Sequence, residues 1–182
     1  MKAKNAFAFV VMLVLIVSAL FVGAYKGWTE ERAETESAAQ PLDEALKTCV
    51  ETANNILTVA RRHVSTDDEA VKALTADKAT LESSKIGLQE KAEAAESLAK
   101  NAKALLAKLS DTETVKADDR DKMYADELLP QMLSSSELLV QEAAAQYNEA
   151  AGAFNERLSK NFFSGFLARL MRIQQAELYE AE

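Results

Sequence analysis

The chain is 182 residues long and 48% hydrophobic, yet it holds only 5 glycines and 2 prolines, too few turn formers to punctuate a many-stranded sheet. A formal charge of -8, with Lys and Arg interspersed among Glu and Asp, offers no concentrated basic face and argues against nucleic acid as a partner. The single cysteine, Cys49, excludes an internal disulfide and reads as a small core hydrophobe beside Leu46, Val50 and Ala53.

Ala6 to Ala24 reads AFAFVVMLVLIVSALFVGA, 19 residues without a charge. At about 1.5 Å per residue this approaches the ~30 Å hydrocarbon thickness of a bilayer, so the run predicts an N-terminal transmembrane helix. Tyr25 and Trp28 stand where interfacial aromatics anchor such a helix. Lys2 and Lys4 precede it, while Lys26 and Arg32 follow in company with Glu30 and Glu31. That bias puts the N-terminus in the cytoplasm and the C-terminal domain outside, periplasmic or extracellular. A cleaved secretory signal is the rival reading, because Gly23 and Ala24 could close an h-region. The expected organisation is a membrane anchor over 1–28, a juxtamembrane linker or solvated helical extension over 29–40, and a helical bundle over 41–182.

Pro41 suits the first turn of a helix, where its missing N–H is not needed. Leu46, Cys49, Val50, Ala53, Ile56, Leu57 and Ala60 then recur at three and four, which is one buried helix face. His63 closes that helix beside Arg61 and Arg62, placed to meet its last carbonyls. The stretch HVSTDD interrupts, and Thr66 with Glu69 forms a capping-box signature. Leu74, Leu81, Leu88, Ala95, Ala102 and Leu109 repeat every seven residues and predict a supercoiled helix, with Lys78, Lys85 and Gly87 as blemishes in its seam. Ser110 to Asp121 is a second interruption, with Ser110 and Glu113 as a further cap. A third helix carries Leu129, Leu133, Val140, Ala143, Tyr147, Ala151, Phe154 and Leu158 on one side, and Pro130 either kinks it or marks its first turn.

The last segment, FFSGFLARLMRIQQAELYEAE, sets Phe162, Phe163, Phe166, Leu167, Leu170 and Ile173 beside Arg169 and Arg172. Such a face packs on the bundle, or forms an interface with a membrane surface or partner through Phe162, Phe163, Phe166, Arg169 and Arg172.

Little in the sequence points to chemistry. His63 is the only histidine, which removes His-based triads and multi-histidine metal sites. Carboxylates lie beside Lys or Arg, Glu-x-x-His does not occur, and there is no Gly-rich phosphate loop. No catalytic, metal-binding or cofactor-binding residue and no cofactor is therefore expected.

Gln146 to Asn155 reads QYNEAAGAFN, in which Tyr147, Asn148, Phe154 and Asn155 resemble the Y-N-x-x-V-x-x-[FY]-N motif of the LemA family of bacterial membrane proteins. Glu137, Val140, Phe162, Ala168, Tyr179 and Glu180 also fit that family's pattern, and Val50-Glu51-Thr52 resembles its V-E-T triplet. Departures are Ala151 for the usual valine, Ala144 where arginine is common, and Phe163 for a proline. The resemblance implies an N-terminal membrane anchor and an antiparallel bundle of long helices, in a family whose biochemical role is largely undefined. Seven residues apart, Tyr147 and Phe154 share a face that fills a bundle core. Asn148 and Asn155 flank that face, where an amide fixes register by bonding to a neighbouring helix or the closing loop, or else meets a partner.

The expected function is a non-enzymatic, membrane-anchored helical scaffold or interaction protein. Its expected partners are the membrane, through the N-terminal helix, and an unidentified protein or a second copy of itself. The alternative is an envelope-spanning or sensory coiled-coil protein that dimerises through its long helices.

Overall fold

Ala, Leu, Glu and Lys give up little freedom on entering a helix, and the chain uses them in that way almost throughout. A computed structural model describes residues 2–160 and 162–180, leaving out the side chains of residues 2–10, 13, 162 and 163. The protein is all-α, with no strand among the described residues. Helix α1 (Lys2–His63) is followed by α2 (Glu69–Leu81), α3 (Leu88–Asp111) and the single turns α4 (Glu113–Lys116) and α5 (Asp119–Met123). A π-helical turn (Tyr124–Leu128) then leads into α6 (Leu129–Ser159) and α7 (Phe162–Leu170).

Several boundaries differ from the sequence expectations, each for a local reason. Of the two readings of residues 29–40 the helical extension is the one found, within α1, and Pro41 lies inside that helix rather than at a first turn. Buried Leu42, Ala45 and Leu46 follow it directly, and their packing outweighs the lost backbone hydrogen bond. The heptad helix is broken between Leu81 and Leu88, so its leucines meet across a helical hairpin instead of lining one continuous seam. Asp68 pairs with Lys108 and Asp77 with Ser97 and Asn101, a progression in opposite directions that makes α2 and α3 antiparallel. The cap of α2 is Asp68, whose carboxylate accepts from Ala70 N at 3.0 Å, and not Thr66. Ser110 is likewise still within α3, and Thr112 precedes α4 without a side-chain cap.

Pro130 falls in the first turn of α6. Just before it, Leu129 N–H donates to Tyr124 O, the wider hydrogen-bond step of a π turn. The register therefore slips by one residue at the point where the next residue has no N–H to give.

The chain forms two compact units, residues 38–148 with 177–182, and residues 1–37 with 149–176. In the former, α1, α2, α3 and α6 bury Leu42, Ile56, Leu74, Leu98, Leu105, Leu109, Leu129 and Leu133. Truncating any of these to Ala costs about 2–5 kcal/mol, the range for a cavity left in a packed core. Buried Thr52 and Ser136 satisfy their hydroxyls on Thr48 O (2.9 Å) and Leu133 O (2.8 Å). In the latter unit Trp28, Phe154, Leu158, Leu167 and Ala168 form the core, with Phe21, Ala24 and Ile173 packed against it.

Among the described residues no helix is long and apolar enough to cross a membrane. Part of the Ala6–Ala24 run, residues 6–10 and 13, carries side chains outside the described residues.

Pro41→Ala restores an exposed interior hydrogen bond of α1 and is expected to raise the stability of the full chain by about 1–3 kcal/mol, read as a shift in denaturation midpoint. A fall in midpoint would mean that the proline serves the native state.

Candidate functional site

The four motif residues lie on α6, and three of them hold the chain's last segment. Asn155 Nδ2 donates to Ala176 O at 2.9 Å while its Oδ1 accepts from Ala176 N at 2.7 Å. Asn148 repeats the arrangement on Tyr179, donating to its O at 2.7 Å and accepting from its N at 2.8 Å. Each amide thus satisfies both backbone groups of one residue, as a neighbouring β-strand would.

Tyr147 adds a third bond, its hydroxyl donating to Glu177 O at 2.7 Å. Burial raises the pKa of Tyr147, with the Glu177 carboxylate adding to the effect. Burial pushes the Tyr179 phenol up to about 12. Both phenols stay neutral at ordinary pH, and that of Tyr147 stays a donor. Phe154 takes no part in these bonds and lies in the Trp28 core.

The segment reaches its place through the end of α7. Arg172 has φ 55, Arg172 N–H donates to Arg169 O and Ile173 N–H to Ala168 O, the paired bonds of a Schellman cap. Ala168 and Ile173 meet in the same apolar cluster, the hydrophobic contact that accompanies such a cap. Arginine thus occupies a left-handed position that glycine fills without strain.

Glu177 has a further role. Its carboxylate accepts from Leu88 N at 3.1 Å and Gln89 N at 3.2 Å, the first free donors of α3. Gly87, the residue before that helix, supplies no side-chain cap, and a Cβ there would stand 3.2 Å from Glu177 Oε1. A carboxylate from 89 positions away therefore caps α3 and meets the positive end of its dipole.

A second polar cluster ties the end of α1 to α4 and α5. His63 Nε2 donates to Asp121 Oδ2 at 2.8 Å, its Nδ1 meets Thr114 Oγ1 at 3.0 Å, and Arg62 donates to both Asp121 oxygens. The expectation that His63 meets the last carbonyls of α1 gives way to this cross-helix pairing, because Asp121 is buried and offers a full negative charge. The His63 hydrogen bond, then that of Arg62, holds the Asp121 carboxyl below its ordinary range. Cys49 is buried with its thiol pKa raised by desolvation, which keeps it protonated and unreactive.

Of the interface residues expected at the C-terminus, Phe166, Arg169 and Arg172 are exposed, whereas the side chains of Phe162 and Phe163 lie outside the described residues. Glu177, Ala176 and Asp121 were not singled out by the sequence. A helix start at Gly87 without its own cap was the available signal for Glu177; nothing local marks the others.

Residues 38–182 match the model of the LemA family. The chain belongs to the LemA family. No curated protein matches it. The LemA match takes in α6, both asparagine clamps and the closing segment, and begins after the apolar run.

Asn155→Ala leaves Ala176 N–H and C=O without their partners and is expected to cost about 2 kcal/mol. Faster hydrogen exchange at Ala176 would accompany it; unchanged exchange would show that the clamp carries no energy. Glu177→Ala is expected to cost about 1 kcal/mol, less at high salt, with added exchange at Leu88 and Gln89.

Asp121 also sets a pH dependence. Its folded pKa is depressed, so its stabilisation is complete above the unfolded value of about 4 and is lost as pH falls through the lower folded value. Denaturation midpoints of the native chain and Asp121→Asn should differ at neutral pH and converge in acid; a constant gap would refute the assignment.

Proposed function

We propose that this LemA-family protein is a non-enzymatic, single-pass membrane protein that displays a helical scaffold for a protein partner or a second copy of itself. The carrying observation is the exposure of Val11, Met12, Val14, Leu15, Ile16, Val17, Leu20 and Val22 along one stretch of α1. These positions cover every side of the helix, and an all-round apolar surface suits hydrocarbon. Lys2 and Lys4 before the stretch support a cytoplasmic N-terminus and an extracytoplasmic C-terminal domain.

Helix α7 supports the same reading. Leu167 and Ala168 pack on Trp28 and Phe154, while Phe166, Leu170 and Arg169 face outward. Apolar rings beside an arginine suit the boundary between headgroups and acyl chains. The alternative coiled-coil dimer has less support, because Leu74, Leu81, Leu98 and Leu109 are buried within the chain's own helices.

The full chain should float with phosphatidylcholine vesicles and resist carbonate extraction. Leu15→Asp with Ile16→Asp should release it, since a central Asp opposes insertion by about 2.5–3.5 kcal/mol. Retention of the double variant, or release of the native chain, would overturn the anchor. A mass of one chain per detergent micelle favours the scaffold, and a rod-like dimer the alternative.

A further inference from the structure

Directly after the exposed apolar stretch, α1, α6 and Ser164 of α7 line an open cleft of about 570 Å³, within the range of small-ligand sites. Gly23 and Ala24 form its apolar lip, Trp28 lies in its wall, and Glu31, Arg157 and Lys160 supply charge of both signs. Glu156 adds a second carboxylate. The cleft lies wholly within the unit formed by residues 1–37 and 149–176.

Two details bear on Arg157 and Glu31. Gly27 is buried, and a Cβ on it would run into the Arg157 guanidinium, so the arginine lies against bare backbone. Arg157 pairs with Glu31 Oε1, leaving further N–H donors on the guanidinium for another acceptor. Glu31 Oε2, by contrast, is buried without a hydrogen-bond partner, the one such side-chain atom among the described residues. A buried carboxylate oxygen left in that state is costly, and the broad terminal torsion of Glu lets it turn toward a donor in the cleft.

A matching ligand carries a compact N–H donor cation and an anion a short distance apart, and adjoins hydrocarbon. We propose that the cleft binds a phosphoethanolamine group, with its ammonium on Glu31 and its phosphate on Arg157 and Lys160. The headgroup of phosphatidylethanolamine and free O-phosphoethanolamine share this chemistry. Phosphatidylcholine does not, because its trimethylated nitrogen has no N–H for Glu31. The placement beside the apolar stretch rests on the membrane-anchored reading; the charge pattern of the cleft does not.

Trp28 is the only tryptophan of the chain, so its fluorescence reports on the cleft. The full-length protein in a non-ionic detergent is titrated with phosphatidylethanolamine, phosphatidylcholine and O-phosphoethanolamine. A saturable response to the first that phosphatidylcholine lacks supports the proposal. A like response to O-phosphoethanolamine assigns the site to the free zwitterion as well, and its absence assigns it to the lipid. Glu31→Gln should weaken binding at least tenfold. Ala153→Leu, at an exposed lining position outside every ion pair, should block it while the melting temperature is retained, which keeps the test valid if Glu31→Gln unfolds. Equal responses to the two lipids, no response to any, or undiminished binding by Ala153→Leu would overturn the proposal. Vesicle flotation reads the anchor and the detergent titration reads the cleft: a chain that floats but shows no headgroup selectivity in the titration loses the cleft alone, and one that never floats loses the anchor while the titration still decides the cleft.

Discussion

A side-chain amide that answers both hydrogen-bonding groups of one backbone residue is the contact from which the C-terminal architecture follows. Once α7 has ended at Leu170 and the chain has turned at Arg172, the described residues that follow are not helical, and their N–H and C=O groups need partners wherever they leave water. Asn155 provides them for Ala176, and Asn148 for Tyr179, each from the side of α6. The amide carries a donor and an acceptor on one rigid plane, which ionised Asp and apolar Leu of similar size do not.

With the segment fixed, its own side chains become structural. Tyr179 is delivered to a buried position, and Glu177 is delivered to the bare start of α3. The cap of a helix near the middle of the sequence thus depends on the closing residues. Gly87 is the complement of this arrangement, since any larger residue would crowd the carboxylate that replaces its cap. Arg172 is the one point of backbone tension in the connection, and the pairing of Ala168 with Ile173 in the apolar cluster offsets it.

What was legible in the sequence follows from how local each signal is. The helical class, the buried stripe from Leu46 to Ala60 and the motif around Tyr147 all rest on spacings within a few turns, and they correspond to the helices observed. The break between α2 and α3 was marked by Lys85 and Gly87, but the heptad spacing continues across it, because both arms of a hairpin present leucines to a common core. Pro41 misled in the opposite direction: local chemistry favours a helix start there, and the packing of Leu42 and Leu46 overrides it. Partners such as Ala176 for Asn155 and Asp121 for His63 are set by tertiary geometry and leave no trace in spacing. For the same reason the cleft charges, far apart in sequence, were not legible at all.

Those charges gain their meaning from the medium around them. With Arg157 half exposed to water, its ion pair with the mostly buried Glu31 is weakened, since solvent screens the guanidinium and two long side chains must be ordered. Beside hydrocarbon the same pair is strengthened, and the cost of an unanswered carboxylate oxygen rises with it. A helix that ends its apolar run at Gly23 and places Glu31 two turns later therefore sets an unsatisfied acceptor at the depth where lipid headgroups carry their donors, if α1 is inserted as proposed. Gly27, which costs a helix about 1 kcal/mol relative to Ala, is accounted for by the approach of the Arg157 guanidinium to its backbone. Its missing side chain is the space in which Arg157 reaches the carboxylate from α6.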